Sequence, residues 1–255
     1  MPKITIKNWS IIFFTVLSCA VFAAAQEEAA SEAESFNFRG VEETKAGRYQ
    51  EAAAAFSRAL VIAPRFAGAR FNLGTVYYHL NELEKAVGEF EQAIEINPAY
   101  AEAYNQLGVT LTEIGQYERA LAALNEAIRR NPNKFLFYYN LGCLHNRSGK
   151  FKAAVEALEK SRQMQPDYLE TLLNLGYAYA RQKEYGKAVT VMRTAVEMNP
   201  TDAQAQCFLG KLYLLAKDKQ AALLQYKTVQ PLNAQMARQL YEFIYQDKLL
   251  VIKPK

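Results

Sequence analysis

The chain has 255 residues, 51% of them apolar and 22% charged, a composition that suits a folded globular protein. Its formal net charge is +4, and removal of Lys3 and Lys7 with a leader leaves +2. So small a balance, with no long run of like charge, disfavours nucleic acid or another polyanion as the partner.

The first 25 residues stand apart. Lys3 and Lys7 give a positive start, Trp9 to Phe22 form an apolar stretch, and Ala23-Ala24-Ala25 meets the small-x-small rule for cleavage before Gln26. This order predicts a signal peptide at 1–25 and an exported protein, periplasmic or secreted. The apolar run is short of the ~20 residues that a spanning helix needs. An uncleaved N-terminal anchor and a lipid attached at Cys19 are the alternatives, and only these would tie the chain to a membrane. Residues 26–32 read as a short linker.

A repeat begins at residue 33. Gly40, Gly74, Gly108, Gly142, Gly176 and Gly210 recur every 34 residues, and Pro64, Pro98, Pro132, Pro166 and Pro200 follow with the same period. The copies start at Ala33, Ala67, Ala101, Phe135, Leu169 and Ala203. In this register positions 4, 7, 8 and 11 mark one face of a first helix, and positions 20, 24 and 27 one face of a second. Position 8 is always glycine and position 20 always alanine (Ala52, Ala86, Ala120, Ala154, Ala188, Ala222). Glycine inside a helix costs about 1 kcal/mol relative to alanine. Close helix approach is therefore expected there, with glycine 8 facing alanine 20. Turns fall at Ala46-Gly47-Arg48-Tyr49, Ile114-Gly115-Gln116-Tyr117 and Ser148-Gly149-Lys150-Phe151. Glycine there suits a left-handed C-cap, and the aromatic can tuck under the turn. Proline at position 32 closes the second helix. Such a helix pair cannot bury its own face alone, and stacking on neighbours buries it.

This pattern resembles the tetratricopeptide repeat. Tyr104-x-x-Leu107-Gly108-x-x-Leu111, then Ala120, Leu124, Ala127 and Pro132, stand at the family's signature offsets. Six copies cover residues 33–231. The resemblance implies an all-α fold, a right-handed superhelical solenoid of antiparallel helix pairs. The first copy departs from the pattern at Arg39 and Glu43, and the sixth has Ala234 where proline is expected, with Pro231 three residues early. Residues 232–246 read as a capping helix with Met236, Leu240, Phe243 and Ile244 on its apolar face. An apolar tail, 247–255, is expected to pack on the cap.

The resemblance also implies that positions 2, 5, 9, 12 and 13 face a concave groove. The candidates there are Phe71, Tyr78, Tyr139, Leu173 and Tyr177 for contact area, with Arg147, Arg181 and Lys211 to orient carboxylates. The alternative is that these side chains pack on neighbouring repeats. Chaperone-binding members of the family clamp a terminal carboxylate with lysine at position 5. Here position 5 is Asn37, Phe71, Asn105, Tyr139, Leu173 and Cys207, which rules that clamp out.

Little in the chain suggests catalysis. His79 and His145 are the only histidines, and His145 falls at core position 11. Metal-binding spacings, a nucleophile elbow and a phosphate loop are all missing. Cys143 and Cys207 lie 64 residues apart, almost two repeats, too far for the ~7 Å limit of a disulfide, and are expected to be free thiols. The sequence thus predicts a non-enzymatic adaptor, without cofactor or metal, that holds a protein or peptide in its groove. A second possibility is a cell-envelope assembly or polysaccharide-secretion component whose groove holds a glycan or a partner.

Overall fold

The computed structural model describes the backbone of residues 6–249 and the side chains of residues 26–245. The leader side chains, including Cys19 and the expected cleavage site, and the tail from 247 lie outside the described side chains. Among the described residues every regular element is a helix, in keeping with the all-α repeat fold expected.

The chain forms two compact units that divide after Gly115. The first holds α1 (Ile6–Lys45), α2 (Tyr49–Ile62), α3 (Ala67–His79), α4 (Leu83–Ile96) and α5 (Ala101–Glu113). The second holds α6 (Tyr117–Arg130), α7 (Phe135–Arg147), α8 (Phe151–Met164), α9 (Leu169–Arg181), α10 (Tyr185–Met198), α11 (Ala203–Leu215), α12 (Lys219–Leu232) and α13 (Ala234–Leu249). From α3 onward the first helix of each repeat starts at position 1, and all six second helices start at position 17. α1 instead runs unbroken through 26–32, where a linker was expected. Glu27, Glu28, Ala29, Ala30, Glu32 and Ala33 are strong helix formers, so the helix has no local reason to stop. Among the described residues no helix is long and apolar enough to cross a membrane.

Helix pairs turn through one residue of positive φ. Gly47, Gly115 and Gly149 hold it at 73°, 78° and 73°, while Asn81, Lys183 and Lys217 reach 60°, 63° and 65° without glycine. In the fourth repeat Gly149 N–H donates to the carbonyl of Asn146 and Lys150 N–H to that of His145, which satisfies the last carbonyls of α7. The second helices then lay their small and large apolar residues into the first. Ala154, Leu158 and Ser161, and likewise Ala188, Met192 and Ala195, are fully buried.

The repeating glycine has a different neighbour from the one expected. A Cβ on Gly40 would lie 2.6 Å from the Phe56 ring, one on Gly74 2.8 Å from Phe90, one on Gly142 2.4 Å from Leu158 and one on Gly176 2.7 Å from Met192. The group opposite glycine 8 is thus the large residue at position 24, not alanine 20. Alanine 20 lets the helices approach, and glycine 8 then makes room for the knob four residues further along.

The last repeat closes differently. α12 runs through Pro231 to Leu232, so the cap helix begins at Ala234 rather than at 232. Asn233 starts it, its side-chain oxygen accepting from Met236 N–H at 3.0 Å. Ala237, Leu240 and Ile244 are buried against α11 and α12, but Phe243, expected on this face, is 43% exposed. Leu240 occupies the space over Gly210, where a Cβ would lie 2.6 Å from it. Among the described helix starts, side-chain caps are confined to this end. Asp202 and Asp218 accept from the first amides of α11 and α12, whereas α2 to α10 begin with no side-chain cap.

Candidate functional site

The first helices of each unit carry the residues singled out by sequence, and each unit presents them separately. In the first unit Phe71 on α3 is half-buried. Its ring centroid lies 5.8 Å from Phe90 and 5.0 Å from Tyr100. Tyr78 meets His79 edge-on at 6.0 Å, and His79 in turn lies flat on Tyr49, 4.9 Å between centroids and 11° between planes.

The second unit repeats this plan with stronger chemistry. Tyr139 on α7 packs edge-on against Tyr168 at 5.2 Å, and Tyr168 against Phe135 at 5.1 Å. Burial, and then Cys143 at hydrogen-bond range, push the Tyr139 phenol far above its ordinary value. Burial raises Tyr168 as well. Leu173 is half-buried against the core of α9 and α10. Tyr177 is 38% exposed and its hydroxyl accepts from Arg181 Nη1 at 2.6 Å. The Arg181 guanidinium also lies over the Phe151 ring, 4.3 Å from its centroid, and 5.6 Å from that of Tyr177. Such a stack on an exposed surface contributes about 0.5–1 kcal/mol. More to the point, it holds the guanidinium in one place on an exposed residue. Arg147 is also exposed.

The structure therefore joins Tyr177 to Arg181 and keeps Lys211 apart from them. Lys211 is half-buried on α11, and its ammonium partly offsets the burial that raises the Cys207 thiol. Cys207 itself is buried, not a groove residue, and its sulfur faces the carbonyl of Met236 at 3.9 Å under the cap. Neither Cys143 nor Cys207 forms a disulfide, as expected.

Three aromatic residues were not counted as candidates in the sequence reading: Tyr100 in the first unit, and Tyr168 and Phe151 in the second. Tyr100 and Tyr168 stand at position 34, just before a first helix, and each packs on the position-5 aromatic of its own repeat. Phe151 stands at position 17 and packs beneath position 13 of the following repeat, as Tyr49 does beneath His79. The recurrence of aromatics at 17 (Tyr49, Tyr117, Phe151, Tyr185) and at 34 (Phe66, Tyr100, Tyr168) was the available signal.

Chemically, this surface can stack, bury apolar area and donate hydrogen bonds. The perturbed phenols, Tyr100 in the first unit and Tyr139 and Tyr168 in the second, are all shifted toward the neutral form. A nucleophile needs the opposite shift. His145 is half-buried with no hydrogen-bond partner at Nδ1.

Sequence models of the TPR repeat match residues 40–81 and 74–115, and models of the tetratricopeptide repeat match 105–168, 139–203 and 173–237. No curated protein matches the chain. Several solved structures share the fold. YrrB, a TPR protein with an unusual peptide-binding site, is 21% identical with a TM-score of 0.63, over 74% of this chain and 99% of its own. PilW, a type IV pilus biogenesis factor, is 21% identical with a TM-score of 0.72, over 78% and 92%. Pseudomonas aeruginosa pilF is 21% identical with a TM-score of 0.72, over 85% and 98%.

Proposed function

The chain belongs to the tetratricopeptide repeat family, and from that premise we propose a non-enzymatic adaptor whose first-helix surface holds a peptide segment of a protein partner. The observation that carries this reading is the Phe151–Tyr177–Arg181 cluster. A guanidinium fixed by a ring and a phenol loses little freedom on meeting a carboxylate. In the same unit, Tyr139, Tyr168 and Leu173 supply partly exposed apolar area. An apolar strip with a cationic rim suits a peptide. A glycan would call for aromatics exposed side by side among carboxylates and amides, and here the rings stack mostly on one another. YrrB, with its peptide-binding site, lends support by fold alone.

A second reading places the same adaptor in assembly of the cell envelope. The fold likeness to PilW and pilF favours it, and so does the apolar N-terminal stretch, which we take as an export signal.

Capture of partners from an envelope extract tests the first reading. Arg181→Gln and Tyr177→Ala should each reduce the recovered partner several-fold while the melting temperature stays unchanged. Equal recovery by both variants would sink the peptide surface. N-terminal sequencing of exported protein tests the second, with a start at Gln26 expected.

A further inference from the structure

Charge divides along the same line as the fold. Among residues with described side chains, the first unit (26–115) carries 7 Lys and Arg against 14 Asp and Glu, a net −7. The second (116–245) carries 18 against 11, a net +7. The small whole-chain balance conceals two equal and opposite halves.

Each unit also ends on an incomplete apolar surface. Phe38 on α1 is 66% exposed. It stands at position 6, a site that elsewhere reaches the preceding repeat. Asn72 donates from there to Asn37 of the repeat before it, and Phe208 packs on the core shared by α9, α10 and α11. No described repeat precedes Phe38. Glu34 and Glu27 lie on its stripe of the helix, four and eleven residues back, and both are exposed. At the other terminus α13 resembles a first helix, but no described helix follows to cover it. Phe243 shares a stripe with half-buried Met236, and Leu232 at the end of α12 is 37% exposed. Lys217, Lys219, Lys227 and Arg238 of α12, α13 and the turn before α12 are exposed, Lys219 over the Tyr245 ring and Arg238 paired with Glu242 at 3.1 Å.

We propose that copies of this chain associate head to tail, α1 of one copy seating Phe38 and its glutamates on the α13 end of the next. The two ends are unlike and complementary in both apolar stripe and charge. A contact between unlike surfaces does not close on itself after two copies, so it builds a chain or a ring. An anionic membrane or polymer could attract the second unit, but it would leave the acidic unit and Phe38 unanswered. A second copy satisfies both.

Sedimentation velocity on the purified chain reads this out. The weight-average mass should rise with protein concentration in about 50 mM salt and fall toward the monomer in about 500 mM, where screening is strong. Phe38→Asp and Phe243→Asp should each weaken self-association by at least about tenfold, since each sets a charge against the partner's apolar stripe. Mixed in equal amounts they should form dimers and stop, because one keeps a sound α13 end and the other a sound α1 end. Circular dichroism should show both folded. If Phe243→Asp loosens the cap, Glu27→Lys with Glu34→Lys, on a fully exposed stripe, carries the same expected loss. A chain that stays monomeric throughout overturns the proposal. So does association that ignores both Phe substitutions, a single variant that dimerises as well as the unmodified chain, or binding to anionic vesicles with no self-association.

Discussion

Gly176 and Gly210 occupy one register position in neighbouring repeats, yet different partners fill the space above them. Over Gly176 the knob is Met192, from the second helix of the same repeat. Over Gly210 it is Leu240, from the cap, while Tyr226 at the usual position is only half-buried and stacks on Tyr241 at 5.4 Å. An inner helix pair is thus locked by its own sequence, whereas the last pair is locked from outside. A repeat can keep its glycine and hand the knob to a neighbour, and the sixth repeat then depends on residues beyond the motif.

The difference can be broken most sharply at Leu240. Leu240→Ala should cost about 2–5 kcal/mol through lost burial and a cavity over Gly210. Tyr226→Ala should cost clearly less, although Tyr226 stands where the buried Phe56, Phe90 and Met192 stand in other pairs. Urea titrations of both variants compare them, and equal losses would mean that α13 adds nothing special. Next in size come the glycines. Gly142→Ala forces a methyl to within 2.4 Å of Leu158. Overpacking of about 1–3 kcal/mol outweighs the roughly 1 kcal/mol of helix propensity gained, so the midpoint should fall. Gly88 sits in α4 with nothing within 4 Å of a would-be Cβ. Gly88→Ala should therefore raise stability by up to about 1 kcal/mol, and a shift of the same sign at both sites would refute the knob reading.

The smallest effect concerns His145, which takes the position held by Tyr77, Tyr179 and Tyr213 in other repeats. Burial first, then the Lys150 ammonium, hold its imidazole below the usual 6.5, with Glu156 opposing. Folding therefore favours the neutral ring. This contribution is complete above the unfolded value of 6.5 and is lost as pH falls through it toward the folded value. Melting temperatures measured from pH 7.5 down to about 5 should decline less steeply for His145→Gln. Parallel slopes would show that His145 carries none of the acid sensitivity.

The fold was legible because its signal is periodic. Glycine, alanine and proline at constant offsets marked the two helices of each repeat and the turn between them, and the structure sets the second helices' starts at position 17, the last residue of the expected turn. What lay hidden was any pairing between residues far apart in the chain. Glycine 8 and alanine 20 are both small and invite each other, and only the helix register shows that position 24 fills the gap. Tyr139 with Tyr168 and Phe151 with Arg181 are 29 and 30 residues apart, so the candidate surface looked like isolated side chains. Phe71, Tyr139, Leu173, Tyr177 and Arg181 were singled out one by one, but of the rings that pack on them Phe151 was read only as a turn residue, and Tyr100 and Tyr168 were passed over. Charge was misleading for a simpler reason: two opposite halves sum to almost nothing.

The three aspartate and asparagine caps at the last helices carry a temporal consequence. During synthesis α2 to α10 emerge with bare amino ends and can stay wound only by leaning on whatever has already folded. α11, α12 and α13 bring their own N-caps, each worth about 1 kcal/mol, so they lean on their neighbours a little less. A nascent chain should thus lengthen as a neighbour-dependent stack whose last helices wind more readily than those before them.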